Sequence, residues 1–139
     1  MTPKELARIH MLAMTVPAPW SVWDFEDILA TSGAFCASEG DFGFAIGRVV
    51  LDEAELLTLA VDPARQRQGL GRVCLDLFEQ RASDAGAFQL HLEVAATNLA
   101  ALSLYKSNGW QVSGHRKAYY AGATPRIDAV LMTKQFARA

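Results

Sequence analysis

Glu93 and Tyr105 are the side chains whose types could move protons in one cleft, a carboxylate that accepts and a phenol that donates. Upstream, Gln66-x-x-Gly69-x-Gly71 offers a place for an anion. Its glycines free the backbone where a helix opens, and a helix N-terminus carries unpaired N–H groups and roughly half a unit of positive charge. Arg67 and Arg72 add formal charge beside it. A pyrophosphate is the guest such a turn favours. Two other phosphate loops are set aside, since there is no Gly-Lys-Ser/Thr and no third glycine at the dinucleotide-binding spacing. The competing reading is a glycine-rich turn that merely caps a helix.

With a phosphate held at the end of a strand, a nucleotide-bearing thioester could lay its arm between that strand and a parallel neighbour, where open α/β sheets bind ligands. The backbone of Leu59, Ala60 and Val61 could pair with the amides of a pantetheine arm as a partial extra strand. Acyl transfer from a thioester to an amine needs a neutral amine, a site for oxyanion charge and a proton for the departing thiolate. An α-amino group has a pKa of about 7.7 to 8.0, so Glu93, directly or through water, could complete its deprotonation. Backbone N–H groups at a strand splay could hold the oxyanion, and Tyr105 could serve the thiolate. Each residue also has a bland reading: Glu93 as a solvated strand residue, Tyr105 as a core ring, Asn98 as an ordinary helix N-cap. His91 shares the face of Glu93 and is a weaker rival base. Cys36 and Cys74 lack the activated setting of a nucleophile, which favours direct transfer without an acyl-enzyme.

The elements that must position these residues read clearly. Leu57, Leu59 and Val61 alternate as a half-buried strand that Asp62-Pro63 ends. A helix follows with Leu70, Val73, Cys74, Leu77, Phe78, Ala82 and Ala85 as its apolar face and Gly86 as its stop. Gln89 to Val94 is the next strand, with Leu90, Leu92 and Val94 on one face and Gln89, His91 and Glu93 on the other. Strand, helix, strand implies parallel pairing with a right-handed crossover, the ligand-binding half of an α/β sheet. Asn98 opens a further helix with Leu99, Leu102 and Tyr105 along one side, stopped by Asn108-Gly109.

Upstream, Thr2-Pro3-Lys4-Glu5 is a capping-box signature for a helix over Pro3 to Met14. Pro17-Ala18-Pro19 breaks it, and Ser21 starts a second helix that ends before Ser32-Gly33. Trp20, Trp23 and Phe25 form an aromatic cluster, with Trp20 a candidate for the rim of a pocket. Phe35 to Ala37 and Phe42 to Val50 read as a hairpin. Trp110 to Ala118 and Ile127 to Lys134 close the chain as strands around a loop at Gly122-Ala123-Thr124-Pro125, with His115, Arg116 and Lys117 as a solvated strand end.

The chain of 139 residues has room for one domain. Its net charge of −2 gives no general attraction to nucleic acid, so any phosphate contact must be local. No apolar run reaches bilayer length and no leader stands at the start, so a cytoplasmic protein with no membrane contact is expected. The cysteines have neither disulfide nor metal spacing, and His10, His91 and His115 stand apart, so no metal site is expected.

Three stretches carry a resemblance: LDEAELLTLAVDPARQRQGLGR, then LHLEVAATNLAALSLYKSNGW, then AYYAG…DAVLM. Together they resemble the GNAT family of N-acetyltransferases, and within it the RimI-type branch that acetylates the N-terminal alanine of a small-subunit ribosomal protein. The likeness runs from about Asp41 to the end, and Ala18-Pro19-Trp20-Ser21 resembles the branch's early Pro-Trp-Ser. It implies the GNAT fold, an α/β domain whose mixed sheet has splayed parallel central strands and flanking helices. It implies acetyl-CoA as co-substrate, held at Leu59, Ala60 and Val61, at Arg67, Gln68, Gly69, Leu70, Gly71 and Arg72, and at Asn98. It implies Glu93 as proton acceptor, Tyr105 as proton donor, Tyr119-Tyr120 flanking the entrance for a peptide, and a protein N-terminus as partner. Two positions depart from the branch: Ala95 stands where arginine commonly follows Leu-Glu-Val, and Trp110 where phenylalanine is usual. Acceptors of another class, a small amine or a lysine side chain, stay open, as does a non-catalytic acyl-CoA-binding module, against which the presence of both Glu93 and Tyr105 argues.

Overall fold

In the computed structural model, which describes residues 1–121 and 125–136, six strands join one sheet. They are Ala34–Ala37 (β1), Gly43–Val50 (β2), Glu53–Val61 (β3), Gln89–Ala95 (β4), Gln111–Tyr120 (β5) and Ile127–Gln135 (β6), in the order β1-β2-β3-β4-β6-β5. Only β3 and β4 run parallel; every other pair is antiparallel. The expected loop at Gly122-Ala123-Thr124 lies outside the described residues.

Among the described residues four α-helices cover the sheet: Pro3–Ala13 (α1), Val22–Leu29 (α2), Leu70–Asp84 (α3) and Leu99–Ser107 (α4). The two N-terminal helices begin in full capping boxes, Thr2 with Glu5 and Ser21 with Asp24. Leu6, Ile9 and Phe25 of these helices pack on Phe44, Ile46 and Ala60, one face of β2 and β3. On the other face Leu75, Phe78 and Ala82 of α3 pack with Leu56, Leu90, Leu92 and Tyr105. Gly47 of β2 makes room on that face for Phe35 and Phe78, whose rings stack with centroids 5.8 Å apart; a Cβ there would lie 2.6 Å from each ring.

The feature that shapes the site is a register shift. Ile46 of β2 faces Thr58 of β3, but the next residue, Gly47, faces Leu56, so Leu57 is an extra residue on β3. Such a bulge bends its strand and interrupts alternation. Ala54 and Leu56 pack toward α3, Leu57 and Ala60 toward α1 and α2, and Leu59 again toward α3. The even alternation of Leu57, Leu59 and Val61 expected from sequence is therefore broken. Pairing of β3 with β4 stops at the same place, Leu56 opposite Leu92 being the last matched pair. Beyond it β3 turns away while β4 stays paired to β6 through Ala95. The parallel strands thus open into a slot.

Several helical faces differ from the periodic reading. Helix α3 buries Cys74, Leu75, Phe78, Glu79 and Ala82, while Ala85 is exposed and Leu70 and Val73 are only half-buried. Glu79 is held in the core because Lys134 and Asn108 side-chain nitrogens and the Trp110 indole N–H all donate to its carboxylate. On α4 Leu102 and Tyr105 pack on the core as expected, whereas Leu99 is 74% exposed and lies outside that face. Gly86 stops α3 with φ +96° as expected.

Candidate functional site

A groove of about 810 Å³ runs through the slot and out past the start of α3. At one end lies the N-terminus of α3. Its N-cap, Gly69, gives no side-chain hydrogen bond, whereas Thr2, Ser21 and Asn98 all cap their helices. The first helical bond runs from Val73 N–H to the Gly69 carbonyl, which leaves the N–H groups of Leu70, Gly71 and Arg72 directed out of the helix end. Arg67 and Gly69 both have positive φ, +67° and +76°, so the turn folds its amides to one side, and a Cβ at Gly69 would meet nothing within 4 Å. Among the described residues neither Arg67 nor Arg72 has an acidic partner, and both line the groove. An uncapped helix end, open space and two unpaired guanidinium groups fit a pyrophosphate. Gln66 also lines this end; Gln68 does not.

The middle of the groove is backbone. Asp62 N–H donates to the Phe42 carbonyl on the β2 side over 2.7 Å. Alternation along an antiparallel pair then turns the N–H and C=O of Leu59 and Val61 to the opposite edge, the one β4 has left. An extended amide-bearing chain could pair there. Ala60 faces the α1 layer. Asn98 lines the groove while its Oδ1 accepts from Ala101 N–H at 3.1 Å, so the cap and the groove-facing position are one residue.

The far end brings together Glu93 and Tyr105, the candidate proton acceptor and donor, from opposite faces of the sheet. Glu93 lies on the face away from α3 and α4, as the burial of Leu90, Leu92 and Val94 requires. Tyr105 comes from α4 on the other face; both line the groove because the slot passes between the strands. The Tyr105 ring is core, only 7% exposed and tilted against Trp110 at 6.1 Å. Among the described residues its hydroxyl has no hydrogen-bond partner, yet every fully buried side-chain nitrogen or oxygen has one, so the hydroxyl opens to the groove. Burial, and secondarily Tyr120, pushes its pKa well above the ordinary phenol range, which keeps it protonated.

Beside Glu93 stand Arg116, read from the sequence only as part of a solvated strand end, and Glu55, which the sequence did not single out. Arg116 Nη2 lies 3.2 Å from Glu93 Oε1 and its guanidinium rests 5.1 Å from the Tyr119 ring centre. The expected solvated strand end is thus exposed but tied to the candidate base. Glu55 also lines the groove, its carboxyl pushed up by burial and then by Glu93. Burial first, then Glu93 and Tyr119, raises Tyr120 to about 12. His91 turns to Glu53, 3.1 Å away, and lines a neighbouring pocket of about 300 Å³, so the rival base is outside the main groove. The cysteines are free; burial raises Cys36 and takes Cys74 to about 11, the reverse of an activated thiolate. Tyr119-Tyr120 and the segment holding Met14, Val16, Pro17 and Trp20 wall the mouth beside Glu93. Trp20 is on that rim, Phe25 is core and Trp23 is 75% exposed.

The Acetyltransferase (GNAT) family matches residues 6–110. The [ribosomal protein bS18]-alanine N-acetyltransferase of Escherichia coli is 47% identical over 89 residues, 64% of this chain and 60% of that protein. The protein of the same name from Salmonella typhimurium is 36% identical over 139 residues, covering 89% of this chain and 94% of the relative. The crystal structure of the E. coli ribosomal-protein-alanine N-acetyltransferase superposes with a TM-score of 0.87 at 35% identity, over 99% of this chain and 89% of that one.

Proposed function

Because this chain belongs to the Acetyltransferase (GNAT) family, we propose that it transfers the acetyl group of acetyl-CoA to the α-amino group at a protein N-terminus, with an N-terminal alanine of a small-subunit ribosomal protein as the acceptor. The observation that carries this reading is the slot beyond Leu56 and Leu92, where Glu93 and Tyr105 line one groove that continues to the uncapped start of α3. The names of the relatives support the acceptor.

In this reading the amides of Leu70, Gly71 and Arg72, with Arg67 and Arg72 side chains, hold the pyrophosphate, and Leu59 and Val61 backbone groups align the amide-bearing arm. Acetyl-CoA supplies the activated acyl group. Glu93, oriented by Arg116, takes a proton from the acceptor amine, and the Tyr105 hydroxyl donates to the sulfur as negative charge develops there. The raised Tyr105 pKa keeps the hydroxyl protonated throughout the neutral range, so it acts as a hydrogen-bond donor that stabilises the charge developing on the sulfur. Neither cysteine takes part.

The experiment is steady-state turnover with acetyl-CoA against two peptides, one beginning with a free alanine and one N-terminally blocked with a free lysine. Preference for the free alanine, expressed as kcat/KM, is the expected result. Preference for the blocked lysine peptide would move the activity to side-chain amines while keeping acetyl transfer.

A further inference from the structure

His10 is a buried titratable residue that the mechanism above does not use, and its ring joins two walls of the groove. It is 0% exposed on α1, packed against Trp20, Phe25 and Phe44. The backbone N–H of Trp20 points at Nδ1 from 2.8 Å. That nitrogen is therefore an acceptor, and the neutral ring carries its proton on Nε2. Nε2 lies 2.8 Å from Thr58 Oγ1, so the imidazole donates and the threonine oxygen accepts. Burial, only partly offset by Asp24, lowers the His10 pKa to about 4, which keeps this tautomer in place through the neutral range.

The arrangement decides what Thr58 has left to offer. Its oxygen is committed to His10, and among the described residues its own hydroxyl hydrogen has no protein acceptor. Thr58 lines the groove just after the bulge at Leu57. Its link to His10 places the side chain on the α1 face of the sheet, the face of Glu93 and of the mouth walled by Trp20 and Tyr120. The donor is thus on the acceptor's side of the slot, opposite α3 and α4.

An α-amino acceptor differs from a lysine side chain in one nearby group. The carbonyl oxygen of its first residue is three bonds from the reacting nitrogen, whereas a lysine amine has only methylenes at that distance. With the amine's protons directed to Glu93, that carbonyl is the nearest atom able to accept a hydrogen bond. We infer that Thr58 binds this first carbonyl oxygen through its hydroxyl, that it thereby selects peptide N-termini over alkyl amines, and that His10 is the positioning residue that fixes the hydroxyl and holds the Trp20 rim. The inference rests on the proposed acetylation of a protein N-terminus and assigns a residue for it.

The test measures kcat and KM for an alanine-starting peptide, and for the same peptide with an alkene isostere replacing its first peptide bond, on wild type, Thr58→Val and Thr58→Ser. One neutral hydrogen bond corresponds to about tenfold in KM. Thr58→Val should raise KM for the natural peptide about tenfold, leave KM for the alkene analogue unchanged, and leave acetyl-CoA affinity at the wild-type value; Thr58→Ser should restore the natural KM. If Thr58→Val folds poorly, wild type alone reads the same effect as an about tenfold higher KM for the alkene analogue, with both KM values expressed per concentration of neutral amine because loss of the carbonyl raises the amine pKa. Equal KM for the two peptides on wild type, or equal effects of Thr58→Val on both, would overturn the assignment while leaving N-terminal acetylation intact. Absence of turnover with any peptide N-terminus would instead remove the underlying reading, and Thr58 with it.

Discussion

Replacing His10 with glutamine should change how stability depends on pH, with a sign set by the burial of the ring and a size of a few kcal/mol. Protonating the folded ring means charging a group that is 0% exposed and turning Nδ1 into a donor that faces the Trp20 N–H. Burial is the larger cause of the shift from 6.5 to about 4, with Asp24 opposing it. Between those values the unfolded chain binds the proton and the folded chain does not, so stability falls as pH drops through this window and is complete above it. At about 1.36 kcal/mol per pKa unit the loss is about 2 kcal/mol by pH 5 and about 3 kcal/mol near pH 4. The assay is urea unfolding of wild type and His10→Gln at several pH values, compared by difference so that other titrating groups cancel. At pH 7.5 the variant should be the less stable, having lost ring packing and hydrogen-bond geometry. The gap should close and then reverse as pH falls toward 4. A gap that stays constant from pH 7.5 to 4.5 would refute the reasoning, because it would mean that His10 titrates alike in both states.

Other outcomes follow from the same geometry. Glu93→Gln should lower kcat/KM by roughly 10² or more, a general base typically being worth 10² to 10⁴, as read from steady-state kinetics. Tyr105→Phe should slow kcat while leaving acetyl-CoA affinity by calorimetry nearly unchanged, since the hydroxyl matters most when sulfur gains charge. Gly69→Asp, at φ +76° in the anion cradle, should sharply weaken acetyl-CoA binding; unchanged affinity in a folded variant would place the ligand elsewhere. Gly47→Ala should cost about 1–3 kcal/mol in chemical denaturation, as typical overpacking does, because its Cβ would press on the stacked Phe35 and Phe78 rings at 2.6 Å.

Local chemistry was legible in the sequence wherever a residue acts on its own neighbourhood. The capping box at Thr2, the helix start at Ser21, the stop at Gly86 and the strand-helix-strand unit around α3 all formed as read. Long-range pairing was less so. The bulge at Leu57 is set by the register of β2 and leaves the apolar letters of β3 looking evenly alternating. On α4 only Leu99 departs from the expected face, because it sits in the exposed first turn, while Ala101, Leu102 and Leu104 pack on the core with Tyr105. Glu79 was invisible as a core residue because its partners Asn108, Trp110 and Lys134 come from distant segments. For the same reason Arg116 could not be connected to Glu93, nor His10 to Thr58, before β5 and α1 were placed. Ala95, where the resembling branch commonly has arginine, lines the groove as a buried small residue.

The most direct test of the account is site-resolved mass spectrometry of a peptide that carries both a free N-terminal alanine and an internal lysine, after incubation with wild-type protein and acetyl-CoA. The account predicts a single acetyl group on the α-nitrogen, with Cys36 and Cys74 unmodified at all times. Acetyl on the lysine with the α-amine untouched, or an acetyl-cysteine trapped on the protein during turnover, would contradict it.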